Sequence, residues 1–185
     1  MIDLHVISLA APAGRLWIAG TARGVLRVGF GKPPSITVPG PFARHGLLTF
    51  HRHPGPLEAA VRSLKAYLGG EIATPLAELD LSGSRPFSLR VFAAVQKIPA
   101  GEMWTFDRVA RAIGSPRAAR AVGQALGANP VPLFVPCHRV VTKEGDIAGY
   151  IGGREWKRAL LELETTQIAL TPKRRRRRVR SAAQG

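Results

Sequence analysis

Up to about Pro54 the chain carries short β-type apolar runs around Val6-Ile7, Leu16-Trp17-Ile18 and Gly24-Val25-Leu26-Arg27-Val28. A short polar, Gly-containing turn separates the last two, and the pattern predicts a small antiparallel sheet. Lys32-Pro33-Pro34 and Val38-Pro39-Gly40-Pro41 break regular structure, and His51 to Pro56 reads as loop. From Leu57 the periodicity changes. Leu57, Ala60, Val61, Leu64 and Leu68 recur at helical spacing until Gly69-Gly70 ends the pattern, so one amphipathic helix is expected to pack on the sheet.

A second region begins near Ser84-Arg85-Pro86, where Phe87, Val91, Phe92 and Val95 form a helical stripe that stops at Pro99-Ala100-Gly101. Thr105 is placed to cap a helix carrying Phe106, Val109, Ala110 and Ile113, closed by Gly114. Ser115-Pro116 then reads as cap and first residue of a further helix to Leu126, completing a helix-turn-helix pattern. Val131 to Val135 reads as an apolar strand, Gly149 to Gly153 as a Gly-rich loop, and Trp156, Ala159, Leu160 and Leu163 as a last helix. The fold class expected is α/β: a small sheet-plus-helix domain over 1–84, a mostly helical domain with the helix-turn-helix over 85–170, and a disordered basic tail over 171–185.

Charge narrows the partners. Of 185 residues, 27 are Lys or Arg and 12 are Asp or Glu, a formal net charge of +15. The run from Lys173 to Arg180 holds seven of the cations, and the chain without it still carries +8. Such a field attracts polyanions, nucleic acid first and an acidic membrane surface second. The tail is expected to add nonspecific DNA affinity, with a nuclear-localisation signal as the alternative. The one cysteine, Cys137, excludes an intrachain disulfide framework and a multi-cysteine zinc site. No basic run precedes an apolar core at the N-terminus, and no stretch approaches the ~18 apolar residues of a membrane span. A soluble intracellular chain is expected.

On the helix assigned to 116–126, Ala118, Ala119, Val122, Ala125 and Leu126 share one face, and Arg117, Arg120, Ala121 and Gln124 the other. Two arginines among small residues suit close approach to a nucleic-acid backbone, although a solvated helix face would look the same. A lone cysteine between Pro and His is ordinarily a small buried hydrophobe. Here His138, Glu164 and a positive surround offer a route to the thiolate, the reactive form.

Pro136-Cys137-His138-Arg139-Val140 resembles the active-site motif of the O6-alkylguanine-DNA alkyltransferases, the methylated-DNA-protein-cysteine methyltransferases. Pro99-Ala100-Gly101-Glu102, Ala118 to Gly123, Asn129-Pro130-Val131-Pro132, Gly149-Tyr150 with Gly152-Gly153, and Leu160-Leu161 through Glu164 follow in the family's order and spacing. The resemblance is close from about Pro86 to Glu164 and looser before it. It implies a suicide repair reaction on double-stranded DNA bearing O6-alkylguanine, with O4-methylthymine a further candidate: the base is flipped out of the stack and its alkyl group moves to the protein's cysteine.

The same resemblance implies roles. Cys137 would be the acceptor, with His138 and Glu164 a water-mediated relay for its proton. Arg120 would enter the base stack from the minor groove, with Arg117, Ala121 and Gln124 beside it on the DNA. Asn129 would be a hinge, although an ordinary turn residue before proline would also explain it. Phe106, Val140, Tyr150, Ile151 and Gly152 would line the guanine pocket, the carbonyls of Cys137 and Val140 accepting from the exocyclic amine. Phe106 stands where the family usually has tyrosine, and Ala148 where glycine is common. Neither cofactor nor metal is expected, His5, His45, His51 and His53 reading as surface-loop residues. A monomer in the bacterial cytoplasm, at the nucleoid, is expected, with no membrane partner; a eukaryotic chain would be nuclear. The rival is a noncatalytic alkyl-damage sensor or a helix-turn-helix regulator.

Overall fold

A computed structural model of the chain describes residues 2–33, 48–147 and 149–170. β1 (Ile2–Ala11), β2 (Gly14–Thr21) and β3 (Gly24–Phe30) form an antiparallel meander. Gly24, at φ +121°, turns the chain into β3 where an added Cβ would lie 2.5 Å from the Glu78 carbonyl oxygen, so the position excludes any side chain. The sheet is not purely antiparallel as expected. β4 (Leu48–His51) lies parallel to β1 and completes the order β3-β2-β1-β4. His51 thus belongs to a strand, and only the residues after it form the loop.

A short 3-10 turn over Gly55–Leu57 leads into α1 (Glu58–Leu68). Its buried residues Ala60, Val61, Leu64, Tyr67 and Leu68 recur at helical spacing and face the sheet. They share one continuous core with Leu16 and Ile18 of the sheet and with Val95, Val109, Val122 and Leu133 further along. Leu64 is fully enclosed there, and truncating such a side chain to Ala costs about 2–5 kcal/mol. Leu4, Trp17, Ala19 and Leu26 pack together in a smaller cluster. The Val25 amide donates to the Glu78 carbonyl at 2.9 Å, tying β3 to the segment after α1, and the Val28 amide donates to the Pro130 carbonyl at 2.8 Å, linking the sheet to the second half.

α2 (Pro86–Val95) starts with proline at its first position, where the missing N–H would have no helical acceptor. β5 (Trp104–Thr105) precedes α3 (Phe106–Ala112), and the Thr105 hydroxyl caps that helix by accepting the Arg108 amide at 3.2 Å. Gly114, at φ +70°, ends it: the Gly114 amide bonds the Arg111 carbonyl and the Ser115 amide the Ala110 carbonyl, the paired bonds of a Schellman terminator. Ser115 helps stop α3, and the next helix takes Ala118 rather than Ser115 as its N-cap, with no side-chain capping bond. α4 (Ala119–Gly127) begins three residues later than Pro116, after a turn closed by the Ala118 amide on the Ser115 carbonyl.

The run Val131–Val135 is a buried turn rather than a strand, with the Val135 amide returning to the Val131 carbonyl at 3.0 Å and Leu133 at φ +76°. Pro130, Pro132 and Pro136 remove the donors a ladder would need. β6 (Val140–Val141) then pairs in parallel with β5, and α5 (Gly153–Leu170) closes the described chain. The breakers from Pro34 to Pro41, His45, Ala148 and the basic tail lie outside the described residues.

Candidate active site

Cys137, His138 and Arg139 form one 3-10 turn between the Val131–Val135 turn and β6, all three buried. Asn129 braces the approach to that turn. Its Oδ1 accepts the Val131 amide at 3.0 Å, and its Nδ2 donates to the Val135 carbonyl at 3.0 Å and to the Cys137 sulfur at 3.2 Å. Burial pushes the Cys137 thiol up to about 11, the Asn129 hydrogen bond and the Lys157 charge only partly opposing it. The positive surround therefore does not give a resting thiolate, because removing the sulfur from water costs the anion more than the Asn129 hydrogen bond and the Lys157 charge return.

His138 Nε2 lies 2.8 Å from Glu164 Oε1. Burial alone would raise the Glu164 carboxyl, but its contacts with His138 and Arg139 outweigh that and bring it down to about 2. An ionised carboxylate only accepts, so His138 donates from Nε2 and keeps the Nδ1 lone pair, and Nδ1 has no hydrogen-bond partner among the described residues. Burial also lowers the His138 pKa, so the ring is a neutral base at neutral pH.

The motif's other charge had no role assigned from sequence. Arg139 Nη2 lies 2.7 Å and Nε 3.0 Å from the two Glu164 oxygens, Nη1 donates to the Ile98 carbonyl at 2.6 Å, and Nη2 to the Ala73 carbonyl at 3.1 Å. This buried pair fixes the carboxylate and ties α5 to the loop after α1. Tyr67 was also missed, and it donates to Glu164 Oε1 at 2.8 Å. So was Lys157, whose Nζ donates to the Val140 carbonyl at 2.6 Å. A tyrosine inside the apolar stripe of α1, and a lysine one position past the buried Trp156, were the available signals.

Of the other residues assigned to the pocket from sequence, Val140 and Tyr150 border this turn. The Tyr150 ring stands edge-on to His138 with centroids 6.3 Å apart and packs on Phe30 of β3 at 5.7 Å. Its hydroxyl is buried with no hydrogen-bond partner among the described residues. Gly152 is required by that same phenylalanine, since a Cβ would sit 2.8 Å from the Phe30 ring. Ile151 is exposed, and Phe106 is half-buried with its ring edge beside Gly123 of α4. The Val140 carbonyl already accepts from Lys157 and the Cys137 carbonyl from the Val140 amide, leaving each oxygen one lone pair.

On α4, Val122, Ala125 and Leu126 are buried while Arg120 and Gln124 are exposed. Arg117 is exposed too, but it lies in the turn before the helix rather than on it. Ala121 and Gln124 border a groove of about 630 Å³ whose walls include Arg27 and Arg85.

Two of the histidines depart from the surface-loop reading. His5 is buried in β1, with Nδ1 2.9 Å from the His53 carbonyl oxygen, and it stacks on His51 at 4.7 Å, while His51 pairs with Asp3 at 2.9 Å. Among the described residues no group of three or more His, Cys, Asp or Glu could hold a metal ion, and no helix is long and apolar enough to cross a membrane.

Residues 86–166 match the family model described as 6-O-methylguanine DNA methyltransferase, DNA binding domain. Over 114 residues the chain is 48% identical to the methylated-DNA-protein-cysteine methyltransferase of Mycobacterium tuberculosis, covering 62% of this chain and 68% of that one. Over 155 residues it is 37% identical to the protein of the same name from Methanosarcina acetivorans, covering 83% and 94%. The fold is similar to that in a crystal structure of Mycobacterium tuberculosis OGT in complex with DNA, with a TM-score of 0.75 and 38% identity over 88% of this chain and 94% of that one. The chain belongs to the methylated-DNA-protein-cysteine methyltransferase family.

Proposed function

We infer that this protein repairs alkylated DNA directly, moving the methyl group of O6-methylguanine in a duplex onto its own Cys137, once per molecule. The observation that carries the reading is the tautomer locked by Glu164: His138 donates from Nε2, so its Nδ1 is left as the base for the neighbouring thiol. The thiol proton passes to Nδ1 through a water and the imidazolium is held by Glu164. The sulfur then attacks the methyl carbon. One S–C bond forms, the C–O6 bond breaks with its electron pair left on the base, and the proton ends on the guanine ring. No cofactor takes part.

A base inside the stack is out of reach of a buried thiol, so the lesion has to be extruded, at a cost of a few kcal/mol that is lower for a weakly paired base. Arg120, exposed at the start of α4, is assigned to fill the vacated stack from the minor groove, with Arg117, Ala121 and Gln124 against the backbone. Small residues between the arginines suit the narrower groove. Phe106, Val140, Tyr150, Ile151 and Gly152 would enclose the guanine, and Asn129 would hold the turn joining α4 to the cysteine. Residues 85–170 would then carry DNA binding and chemistry while 1–84 supports them. A monomer acting on chromosomal DNA in a reducing cytoplasm fits a mechanism that consumes a free thiol.

The test is intact mass with peptide mapping after mixing the protein with excess duplex containing one O6-methylguanine. A gain of one methylene on Cys137, absent with undamaged DNA and in Cys137→Ser, establishes the transfer. Binding to the lesion without any mass gain would replace this reading by that of a damage sensor.

A further inference from the structure

The carboxylate oxygen that holds the relay histidine also holds a residue from the first half of the chain. Glu164 Oε1 accepts the Tyr67 hydroxyl at 2.8 Å, His138 Nε2–H at 2.8 Å and Arg139 Nη2 at 2.7 Å. Tyr67 lies on α1, 97 positions before Glu164, and its oxygen is also 3.4 Å from His138 Nε2. The side chain is fully buried. Phenylalanine would fill the same stripe of α1 without placing a polar atom in the core, so the hydroxyl has to be explained by what it bonds. Arg139 already neutralises the carboxylate, so the tyrosine is not needed as a counter-ion.

We propose that Tyr67 is a positioning residue for alkyl transfer: from the N-terminal helix it fixes the Glu164 carboxylate and, by sharing Oε1, limits how strongly that oxygen holds the His138 Nε2 proton. This rests on the reading of Cys137 as the methyl acceptor. Each donor to a carboxylate takes part of the charge that would otherwise stabilise a neighbouring imidazolium. Tyr67 therefore keeps His138 neutral, with Nδ1 free to take the thiol proton. The other groups facing the ring are Glu164 and Lys157 from α5, Arg139 and Cys137 from its own turn, and Tyr150 from the pocket loop. Glu164 favours the imidazolium, while burial, Arg139 and Lys157 oppose it. Tyr67 is the neutral donor that sets the balance between them, and it makes the N-terminal domain part of the reaction rather than only its support.

The experiment is the single-turnover rate of methyl transfer from an O6-methylguanine duplex, measured from about pH 5 to 9 for the wild type, Tyr67→Phe, and a chain with 3,5-difluorotyrosine at position 67. Loss of the hydroxyl makes His138 more basic, so the acid limb of Tyr67→Phe is expected to move up by about half to one pH unit, a roughly three- to tenfold slower rate below it. The fluorinated phenol is a stronger donor that burial keeps protonated, and its limb is expected to move down. Limbs that coincide with the wild type, whatever the plateau rates, overturn the proposal. The fluorinated chain decides the matter alone if Tyr67→Phe does not fold. A wild type that transfers no methyl group sinks the parent reading instead.

Discussion

The Asn129 amide nitrogen donates to the Cys137 sulfur at 3.2 Å while the same side chain ties the Val131 amide and the Val135 carbonyl. One buried side chain thus sets both the turn before Cys137 and a contact to its sulfur. Replacing Asn129 by Ala leaves a buried donor and a buried acceptor unpaired, and is expected to lower stability by about 2–4 kcal/mol. Denaturant unfolding with the slope held unchanged checks it. A loss below about 1 kcal/mol would show that water or backbone movement satisfies the freed groups.

Glu164 gives the fold a defined acid sensitivity. Its carboxyl is brought from an ordinary 4.5 to about 2 in the native state. A group with a depressed native pKa stabilises above its unfolded value and loses that contribution as pH falls toward the native one. The drop corresponds to about 3 kcal/mol, lost between about pH 5 and 2. Unfolding free energies across that window are expected to fall more steeply for the wild type than for Glu164→Gln. The variant is itself destabilised at neutral pH, because Arg139 keeps a buried charge without its counter-ion. Parallel curves would refute the assignment.

Much of this arrangement was legible because it is local. The stripe of α1, the Thr105 cap and the Gly114 stop are each decided within a few residues, and the Pro-Cys-His-Arg-Val motif was readable through its family resemblance. The failures have physical causes. Ser115-Pro116 is an acceptable helix start, but the Ser115 carbonyl accepts the Ala118 amide in a turn and the helix begins only at Ala119. The apolar Val131–Val135 run looks like a strand until Asn129 and the prolines leave it no ladder partner. β4 pairs with β1 across a long stretch of chain, which no local pattern records. Tyr67 and Arg139 escaped for the same reason, since their meaning comes from a carboxylate on α5.

The thiol of the free protein is expected to be sluggish. With burial holding Cys137 up to about 11, the thiolate fraction at pH 7 is about one in ten thousand. Labelling by iodoacetamide, followed by intact mass, is expected to be slow at pH 7 and to accelerate about tenfold per pH unit toward alkaline pH. Fast, pH-independent labelling near neutrality would show a thiolate already present before DNA arrives.

The two arginines are expected to fail in different ways. Arg120→Ala removes the residue assigned to the stack, so the transfer rate on duplex should fall much more than affinity for undamaged duplex. Arg120→Lys should not restore it, because an ammonium cannot stack. Arg117→Ala should weaken binding to damaged and undamaged duplex alike and reduce the slope of log affinity against log salt by about 1. Fluorescence anisotropy across a salt series, beside single-turnover rates, separates the two. Equal effects of both substitutions on both quantities would remove the stacking role.

Phe106 keeps an aromatic ring, half-buried beside Gly123, where the family usually places tyrosine. The missing hydroxyl is a donor that the departing base could use, because the electron pair left by the methyl group spreads over the ring and a hydrogen bond to a ring nitrogen strengthens as that charge develops. One neutral bond of this kind contributes on the order of 1–2 kcal/mol in the transition state, which converts to a rate difference of roughly 5- to 30-fold. Phe106→Tyr is therefore expected to accelerate methyl transfer by that factor with little change in duplex affinity. An added Cβ at Gly123 would lie 3.7 Å from the Phe106 ring, which is ordinary van der Waals contact rather than a clash. Single-turnover rates of the two proteins on the same O6-methylguanine duplex are the measurement. An equal or slower mutant would mean that the ring at this position does not reach the base, and the guanine-pocket assignment of Phe106 would be withdrawn.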